Sequence, residues 1–492
     1  MTSEAPPPPV RWEGRRVVVA GLAVSGAAAA YALAERGAHV LAVDARDGAA
    51  ERERAQLLDV LGGSALLGPE AVGAAGDLPA VAGAAPDLVV TSPGWRPDAP
   101  LLAAAARAGV PVWGEVELAW RLRGPGAAPW LTVTGTNGKT TTVRMLSEIL
   151  GAAGLRAPAA GNIGTPLVEA VLDPVPADVL AVELSSFQLH WSHSLAPRAS
   201  ACLNIAPDHV DWHGSMEAYT ADKGRVYEGT EVACVYSDAD PVTERLVRDA
   251  DVQEGCRAVG TTLGVPGLSM LGVVDEVLAD RAFVEQRRTS AAELATLDDL
   301  LEAAGGVLAP HTVSNALTAA ALARAHGVQP AAVKAGLRAT APGAHRIAVV
   351  ARSGGITWVD DSKATNPHAA AASLAGVESA VWVAGGLAKG ASYDDLVASH
   401  AQRLRGVVLI GADRAPLREA LARHAPGVPV VEVQAGAPED VMPAAVRAAA
   451  GLAGVGDTVL LAPASASMDQ FTSYAERGDA FAAAVLDHLR RS

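Results

Sequence analysis

The segment WLTVTGTNGKTT, residues 130–141, decides the interpretation of this chain of 492 residues. Its first five residues are typical of a strand, its centre is a glycine loop, and a helix with apolar residues at Leu146 and Leu150 follows. This order of elements binds phosphate, because free backbone N–H groups and the positive end of the helix point at the loop. The strict pattern G-x-x-x-x-G-K-[ST] fails, since Val133 stands where its first glycine belongs. The segment favours a nucleotide site, and an ordinary glycine turn with an exposed lysine is the alternative.

Lysine is scarce in this chain. Only five of the 39 basic residues are lysines, and they are Lys139, Lys223, Lys334, Lys363 and Lys389. A compact ammonium group has uses that a guanidinium group cannot replace, so lysines in or beside loops at predicted strand ends indicate binding chemistry. Lys139 would neutralise the β- and γ-phosphates of a nucleotide. Lys334 lies in a predicted helix and is expected at the surface.

Two oxygen-bearing residues suit a magnesium ion beside the loop. Thr140 directly follows Lys139, and Glu183 ends a predicted strand at 179–182. Hydroxyl and carboxylate oxygens are the protein ligands of Mg²⁺ in many ATP sites. A strand-end glutamate that is merely solvated is the alternative.

The stretch DHVDWH, residues 208–213, holds four possible metal ligands and raises the hypothesis of a zinc or dinuclear hydrolase. Such clusters also hold one another by hydrogen bonds. A simple zinc hydrolase has no use for the phosphate loop, so the hydrolase hypothesis is the weaker one.

The N-terminal part has the pattern of a Rossmann-type βαβ unit, with strands at 17–19 and 38–43 around an alanine-rich helix. Gly21 and Gly26 occupy the first and third positions of a dinucleotide fingerprint, but Ala23 occupies the middle one. A dinucleotide is therefore possible but not favoured, although Asp44 can still bind a ribose or a base. The uncharged run at 17–34 has the length of a membrane span, but the strand-turn-helix pattern explains it better.

Composition sets the fold class. The chain is 50% hydrophobic, 19% charged and 4% aromatic, which favours two to four α/β domains. A third unit follows a hinge at Pro342 and Gly343, with strands predicted at 347–350, 357–359, 381–384, 407–410, 428–433 and 458–461. We predict a Rossmann-like N-terminal domain (1–116), a P-loop-type central ATPase domain with a mostly parallel sheet (117–342) and a Rossmann-like C-terminal domain (343–492).

Charge and cysteine usage exclude several classes. The net charge of −15 disfavours a nucleic-acid partner. Three cysteines form neither a disulfide framework nor a four-ligand zinc site, and the N-terminus lacks the pattern of a signal peptide. We expect a cytoplasmic protein without membrane insertion, with residues 6–9, all proline, in an exposed tail.

Motifs in a fixed order resemble the Mur ligases of peptidoglycan synthesis. They are the loop at 135–141, GNIG at 161–164, ELSSFQL at 183–189, Asp208-His209 with Lys223, His345-Arg346, and DSKATN at 361–366. The resemblance spans nearly the whole chain. It is strongest to the members that add D-glutamate, because of SPG at 92–94, the Ser-Ser-Phe-Gln run and PASASMDQF at 463–471. The Asp-Asn-Pro-Arg motif of the diaminopimelate-adding members is absent.

The resemblance implies an ATP-dependent amide ligase that uses ATP, two Mg²⁺ ions, UDP-N-acetylmuramoyl-L-alanine and D-glutamate, and acts as a monomer. Lys139, His209, Lys223, Arg346 and Lys363 would be catalytic. ATP would bind at Gly135, Thr136, Asn137, Gly138, Lys139, Thr140, Thr141, Asn315, Arg346 and Asp361. The metal ligands would be Thr140, Glu183, His209 and Lys223. The UDP substrate would meet Ser25, Asp44, Arg46, Asn162, Ser185 and Gln188, and D-glutamate would meet Thr365, Lys389, Ser467 and Tyr474.

In the family the lysine matching Lys223 is carbamylated by CO₂, which turns a cation into an anionic metal ligand; a surface lysine is the alternative. The chain departs from the family pattern at Ala23, at Thr312, where an asparagine is usual, and at Tyr474, where phenylalanine is common. Three rival hypotheses stay open from the sequence. They are another amide ligase, such as a different Mur ligase or a folylpolyglutamate synthase, a dinucleotide oxidoreductase, and a non-catalytic nucleotide-binding protein.

Overall fold

Three β-sheets follow one another along the chain, each with helices packed against it. The computed structural model describes residues 10–73, 78–341, 343–434 and 438–491. The predicted proline tail and Pro342 of the predicted hinge lie outside these ranges. The architecture confirms the three-domain α/β fold. The predicted domain limits after residues 116 and 342 stay predictions.

The N-terminal sheet has five parallel strands in the order β3-β2-β1-β4-β5. These strands are β1 (Arg16–Ala20), β2 (His39–Asp44), β3 (Ser64–Leu67), β4 (Leu88–Thr91) and β5 (Val112–Gly114). The helices are α1 (Val24–Ala34), α2 (Ala49–Val60), α3 (Pro69–Gly73), α4 (Pro100–Arg107) and α5 (Glu115–Leu122). The uncharged run at 17–34 is thus a strand, a turn and a helix, as predicted. Across the described residues, no helix is both long and apolar enough to cross a membrane.

The turn between β1 and α1 requires its two glycines. Gly21 has φ +93°, and a Cβ atom there would lie 2.7 Å from Ser92 Oγ. A Cβ atom on Gly26 would lie 1.9 Å from the carbonyl oxygen of Gly21. The first and third fingerprint glycines therefore allow the chain to turn tightly from strand into helix.

The central sheet has nine strands in the order β14-β13-β12-β11-β10-β9-β6-β8-β7. They are β6 (Trp130–Thr134), β7 (Ala159–Gly161), β8 (Leu180–Glu183), β9 (Ala199–Cys202), β10 (Ala233–Ser237), β11 (Arg257–Thr261), β12 (Met270–Val274), β13 (Val277–Asp280) and β14 (Ala292–Thr296). The strands from β7 to β12 run parallel, and β13 is antiparallel to both of its neighbours. Strands β7 and β11 and the ribbon from β12 to β14 were not predicted.

Nine α-helices and one 3₁₀ helix (Arg225–Tyr227) accompany this sheet in the described residues. They are α6 (Lys139–Ala152), α7 (Leu167–Leu172), α8 (Ser186–His190), α9 (Val210–His213), α10 (Met216–Gly224), α11 (Pro241–Asp249), α12 (Leu297–Ala303), α13 (Pro310–Ala325) and α14 (Pro330–Ala339). The predicted period of α6 is confirmed, because Leu146 and Leu150 are buried in the central core. Gly336 lets α14 approach α6 closely, since a Cβ atom there would lie 2.3 Å from Ile149 Cα.

The C-terminal sheet has six strands in the order β15-β16-β20-β17-β18-β19. They are β15 (Ala348–Ser353), β16 (Ile356–Asp360), β17 (Ala380–Gly385), β18 (Leu404–Ile410), β19 (Val430–Glu432) and β20 (Thr458–Leu461), and only β15 is antiparallel to its neighbour. The helices are α15 (Pro367–Ala375), α16 (Asp394–His400), α17 (Ala415–His424), α18 (Pro438–Leu452) and α19 (Tyr474–Arg491), with a 3₁₀ helix at Ala401–Arg403. Strand ends of the central and C-terminal sheets face a shared cavity.

Candidate active site

The glycine loop joins β6 to α6 as a phosphate site requires. Gly135 and Gly138 have φ +145° and +88°, values that favour glycine. Among the described residues, no side chain caps the N-terminus of α6, so its first N–H groups are free for an anion. Lys139 Nζ donates to the carbonyl groups of Gly135 at 2.8 Å and Thr136 at 3.0 Å. Burial lowers the pKa of Lys139, against the opposing effect of Glu183.

The loop opens onto a cavity of about 440 Å³ between the central and C-terminal sheets. Several predicted site residues line it together, from both domains. They are Thr136, Asn137, Gly138, Lys139, Thr140, Thr141, Asn162, Glu183, Asn315, Arg346, Asp361, Lys363, Thr365 and Tyr474. Gly135 lies next to it, at the start of the loop. One cavity therefore contacts most of the predicted ATP site and part of the other predicted sites.

Glu183 has the surroundings of a metal ligand. It ends β8, and its side chain is buried. Asn162 Nδ2 donates to Glu183 Oε1 at 2.8 Å. Glu183 Oε2 has no hydrogen-bond partner among the described residues. A buried carboxylate oxygen without a partner, in one cavity with the Thr140 hydroxyl, fits a divalent cation.

The zinc hypothesis finds no support. Within the described ranges, no group of three or more His, Cys, Asp or Glu side chains is arranged to hold a metal ion. His209 adopts a left-handed backbone conformation, φ +51°, and its Nε2 lies 3.6 Å from Asp208 Oδ2. Burial lowers the pKa of His209 against the opposing effect of Asp208, which favours a neutral ring able to act as a ligand.

Lys223 is not a surface lysine, so that alternative is wrong. Its residue is only 2% exposed on α10, and Nζ donates to the carbonyl of Gly135 at 2.8 Å. Burial, and next the charge of Lys139, lower the pKa of Lys223 to about 7. His209 and Lys223 are not among the described residues that line the cavity. Lys223 instead lies behind the phosphate loop, against its first carbonyl group.

Asp222, next to Lys223, fixes α10 from the other side. Its Oδ2 lies 2.9 Å from His190 Nδ1 and 2.8 Å from His213 Nδ1. His213 Nε2 in turn lies 3.0 Å from Ser186 Oγ. Sequence reasoning assigned no role to Asp222 or Ser186, although the histidine cluster and the adjacent lysine were visible signals. This network holds the helix that carries Lys223.

The C-terminal wall of the cavity is rich in charge. Burial lowers the pKa of Arg346. Burial, and next the positive charge of Arg346, lower the pKa of Lys363 to about 8. Lys363 Nζ lies 3.7 Å from the centre of the Tyr474 ring. Burial raises the pKa of Asp361 to about 6, although Ser373 Oγ donates a hydrogen bond to it. Cations from two domains therefore face one cavity.

A direct contact joins the phosphate loop to the C-terminal domain. Asn137 Nδ2 donates to Asn366 Oδ1 at 3.4 Å, and Asn366 Nδ2 donates back at 3.3 Å. Asn137 Nδ2 also lies 2.9 Å from His368 Nδ1. We call these three residues the clasp. Sequence reasoning missed this pairing. It named His311 only as the start of the family pattern that contains Thr312, and gave it no role; His311 lines the cavity, and its buried Nδ1 has no hydrogen-bond partner in the described part of the chain.

The residues predicted for the UDP group lie away from this cavity, on the N-terminal sheet. Asp44 ends β2 and accepts hydrogen bonds from Leu22 N at 2.7 Å and Arg46 N at 2.9 Å. Burial alone would raise the pKa of Asp44, but its hydrogen bonds with Arg46 hold that pKa below its usual value. Ser25 lies in the first turn of α1, whose N-terminus receives no cap from the side chains that the structure describes. The turn and Asp44 together form a polar end of this sheet.

Of the residues predicted for the muramoyl-alanine arm and for D-glutamate, some line the cavity and others do not. Ser185 and Gln188 form a capping box that starts α8, so both already have local hydrogen-bond partners. Lys389 is exposed with φ +48°, and Ser467 is buried in the loop after β20. Their loops touch through a β-bridge between Leu387 and Ala466. Neither Lys389 nor Ser467 is among the described cavity-lining residues, whereas Thr365 and Tyr474 are.

Two family models match the chain. They are the Mur ligase middle domain over residues 133–323 and the Mur ligase, glutamate ligase domain over residues 345–465. The chain is 63% identical over 476 residues to the UDP-N-acetylmuramoylalanine--D-glutamate ligase of Streptomyces avermitilis, with 96% of this chain and 98% of that protein covered. It is 50% identical over 508 residues to the protein of the same name from Mycolicibacterium smegmatis, with 96% of each covered.

Solved structures share the fold at low identity. The UDP-N-acetylmuramate-alanine ligase MurC of Thermotoga maritima has a TM-score of 0.53 at 19% identity, covering 97% of this chain and 99% of that one. A pseudomurein peptide ligase type C of Methanothermus fervidus has a TM-score of 0.54 at 16% identity, covering 91% and 96%. These likenesses concern the three-domain architecture.

Proposed function

The chain belongs to the Mur ligase family, and from this premise we propose that it joins D-glutamate to UDP-N-acetylmuramoyl-L-alanine and converts ATP to ADP and phosphate. One observation carries the proposal at the site: the unpartnered, buried Oε2 atom of Glu183 shares a cavity with the phosphate loop and with cations of the C-terminal domain. The identity of 47 to 63% to proteins named as D-glutamate-adding ligases supports the choice of substrates. It disfavours a different Mur ligase or a folylpolyglutamate synthase.

The reaction needs an activated carboxylate. The substrate carboxylate attacks the γ-phosphorus of ATP, ADP leaves, and an acyl phosphate forms. The amine of D-glutamate then attacks the acyl carbon, and phosphate leaves from the tetrahedral intermediate with loss of a proton. Each step moves negative charge between oxygens, so catalysis rests on positioning and on fixed positive charge. Lys139, Arg346 and Lys363 are assigned this role, because all three line the one cavity.

Thr140 and Glu183 fit a first magnesium ion, and His209 with Lys223 would serve a second. When bound, Mg²⁺ withdraws charge from the phosphoryl group that is transferred. The Asn162 bond to Glu183 Oε1 orients the carboxylate, so that Oε2 is the atom left for the ion. The clasp would keep the two walls of the cavity in place during the transfer.

Lys223 fits a carbamate. A carbamate forms only from a neutral amine, and burial lowers the pKa of Lys223 to about 7. The nearby Lys139 cation would favour the negative carbamate over the positive ammonium form. The network around Asp222 would hold α10 so that this group points at the phosphate loop.

The other two substrates are assigned to the flanking domains. Ser25, Asp44 and Arg46 would take the UDP group, because they surround the polar end of the N-terminal sheet. The muramoyl-alanine arm would pass Asn162, Ser185 and Gln188. D-glutamate would bind at Thr365, Lys389, Ser467 and Tyr474. For Lys389 and Ser467 to reach the cavity, the two loops joined by the β-bridge between Leu387 and Ala466 would have to move toward it. We place the protein in the cytoplasm, as a monomer.

One assay tests the proposal. Purified protein is given Mg·ATP, UDP-N-acetylmuramoyl-L-alanine and a panel of amino acids, and ADP release is followed. We expect release only with D-glutamate. Equal release with L-alanine, L-lysine or L-glutamate, or release with a folate in place of the UDP substrate, would contradict the assignment.

A further inference from the structure

A second concavity lies on the central domain, at the end of the sheet opposite the phosphate loop. It has a volume of about 950 Å³, and its lining includes Arg257, Phe283, Arg287, Arg288 and Arg324. We call it the arginine pocket. The amino end of β11, the loop after β13 and the C-terminal end of α13 form it. Since α13 begins at the ATP cavity and spans 16 residues, the two sites lie roughly 24 Å apart.

Positive charge is in excess in this pocket. Arg324 is neutralised by Asp280, with Nε and Oδ2 2.8 Å apart and both side chains buried. Arg257, Arg287 and Arg288 form no ion pair within the described residues, and Glu285 is the acidic residue of the lining. The pocket thus keeps a positive excess in a chain whose net charge is −15. Such an excess attracts anions.

The Arg257 guanidinium group lies in surroundings that disfavour its positive charge, and a bound anion would stabilise that charge. Its Nη1 donates to the carbonyl of Ala282 at 3.0 Å, and its guanidinium carbon lies 4.8 Å from the centre of the Phe283 ring. Burial, and next the charge of Arg287, lower the pKa of Arg257, against the smaller opposing effect of Asp280. Two guanidinium groups therefore repel each other in a partly desolvated place. A bound anion would offset both the desolvation and the repulsion.

The backbone of the loop that carries Arg287 and Arg288 is held by hydrogen bonds from Arg281. Arg281 donates to the carbonyl groups of Arg287 at 3.4 Å and Arg288 at 3.5 Å, and to that of Pro266 at 3.0 Å. These bonds use the backbone of the loop and leave the side chains of Arg287 and Arg288 for other partners. The pocket is thereby organised before any ligand arrives, which reduces the entropy cost of binding.

We propose that the arginine pocket binds a soluble molecule that carries a diphosphate or two closely spaced anionic groups. Planar guanidinium groups match phosphate and carboxylate oxygens in pairs. The volume exceeds that of a single phosphate, and Phe283 offers an apolar surface beside the charges. This inference does not depend on the proposed ligase activity, because it concerns other residues at the far end of the sheet.

The test uses inorganic pyrophosphate as the probe and isothermal titration calorimetry as the measurement. The full chain is titrated without nucleotide and without Mg²⁺, and Lys139→Ala, which weakens the phosphate loop and leaves the arginine pocket intact, is titrated beside it, so that binding at the two sites can be separated. We expect saturable binding that weakens as salt increases. Arg257→Gln and Arg287→Gln should each weaken binding about ten- to a hundredfold, since each removes one charge-assisted contact. Arg245→Gln, at an exposed site on α11, is the control and should leave binding unchanged.

Three results would overturn the proposal. They are no saturable binding of pyrophosphate, equal binding by the natural chain and by Arg287→Gln, or equal weakening by Arg245→Gln. Arg287→Gln keeps the test valid if Arg257→Gln fails to fold, because the Arg287 side chain makes no hydrogen bond or ion pair recorded for the described residues. D-glutamate-dependent ADP release, measured on the arginine variants, should stay within twofold of the natural chain, which separates this inference from the ligase proposal.

Discussion

Replacement of Glu183 by glutamine isolates one atom of the site. The amide oxygen can still accept the bond from Asn162 Nδ2, now 2.8 Å from Oε1, so the side chain keeps its orientation. The change places an NH₂ group where the unpartnered Oε2 lies and removes one negative charge. The same charge acts on Lys139 and Lys363, raising the pKa of each against the effect of burial.

The expected loss of activity in Glu183→Gln follows from the metal ligands that remain. Thr140 offers only a neutral hydroxyl, and within the described residues no group of three or more His, Cys, Asp or Glu side chains is arranged to hold the ion instead. Loss of the single charged ligand should cost about 3 kcal/mol of transition-state stabilisation, or about 150-fold in kcat. The half-saturating Mg²⁺ concentration should rise more than tenfold as well.

The assay is a magnesium titration of D-glutamate-dependent ADP release at saturating substrates. Glu254→Gln is the matched control, because Glu254 is exposed on the same domain. Circular dichroism should show that both variants are folded. If Glu183→Gln keeps kcat within threefold and the Mg²⁺ dependence is unchanged, the assignment of Oε2 to the metal is wrong.

The remaining predictions concern three places. Lys223→Arg should be nearly inactive in ADP release although charge is kept, because a guanidinium group forms no carbamate; full activity would refute the carbamate. The kcat/KM for ATP should fall as the pH rises through about 8, because Lys363, whose pKa is lowered to about 8, then loses its proton and its charge. The fall should move to higher pH in Lys363→Arg, and an unchanged profile would exclude Lys363 as its cause. Lys389→Ala and Ser467→Ala should raise the KM for D-glutamate about ten- to a hundredfold while the KM for ATP stays constant; the opposite pattern in initial-rate measurements would mean that the C-terminal domain has been misassigned.

Local patterns were enough to predict much of this molecule. The strand, loop and helix around Lys139 and the strand-end position of Glu183 depend on neighbours in sequence, and the structure has both as predicted. Most strands of the three sheets were visible as runs rich in β-branched residues, but β3, β7 and β11 were not predicted. The β12–β14 ribbon was not predicted either, because glycine, alanine and acidic residues such as Gly272, Asp280 and Glu293 interrupt its β-branched runs.

Contacts between residues far apart in the chain could not be predicted from the sequence. Lys223 reads as a surface lysine on a short helix, and only its bond to Gly135, 88 residues away, shows that it is buried. The clasp joins residues 229 apart. Conversely, the family resemblance groups Lys389 with Thr365, but the structure separates them, since a loop conformation decides whether an exposed lysine reaches the cavity.

The clasp also bears on how inhibitors of this protein could be built. Asn137 belongs to the phosphate loop and Asn366 to the C-terminal wall, for which we propose different ligands, the phosphates of ATP and D-glutamate. A single molecule that engages both walls would meet its second contact surface at a high effective concentration, because the first contact already holds it in place. Two weak fragments joined by a linker that matches the span across Asn137 and Asn366 should then bind far more tightly than either fragment alone.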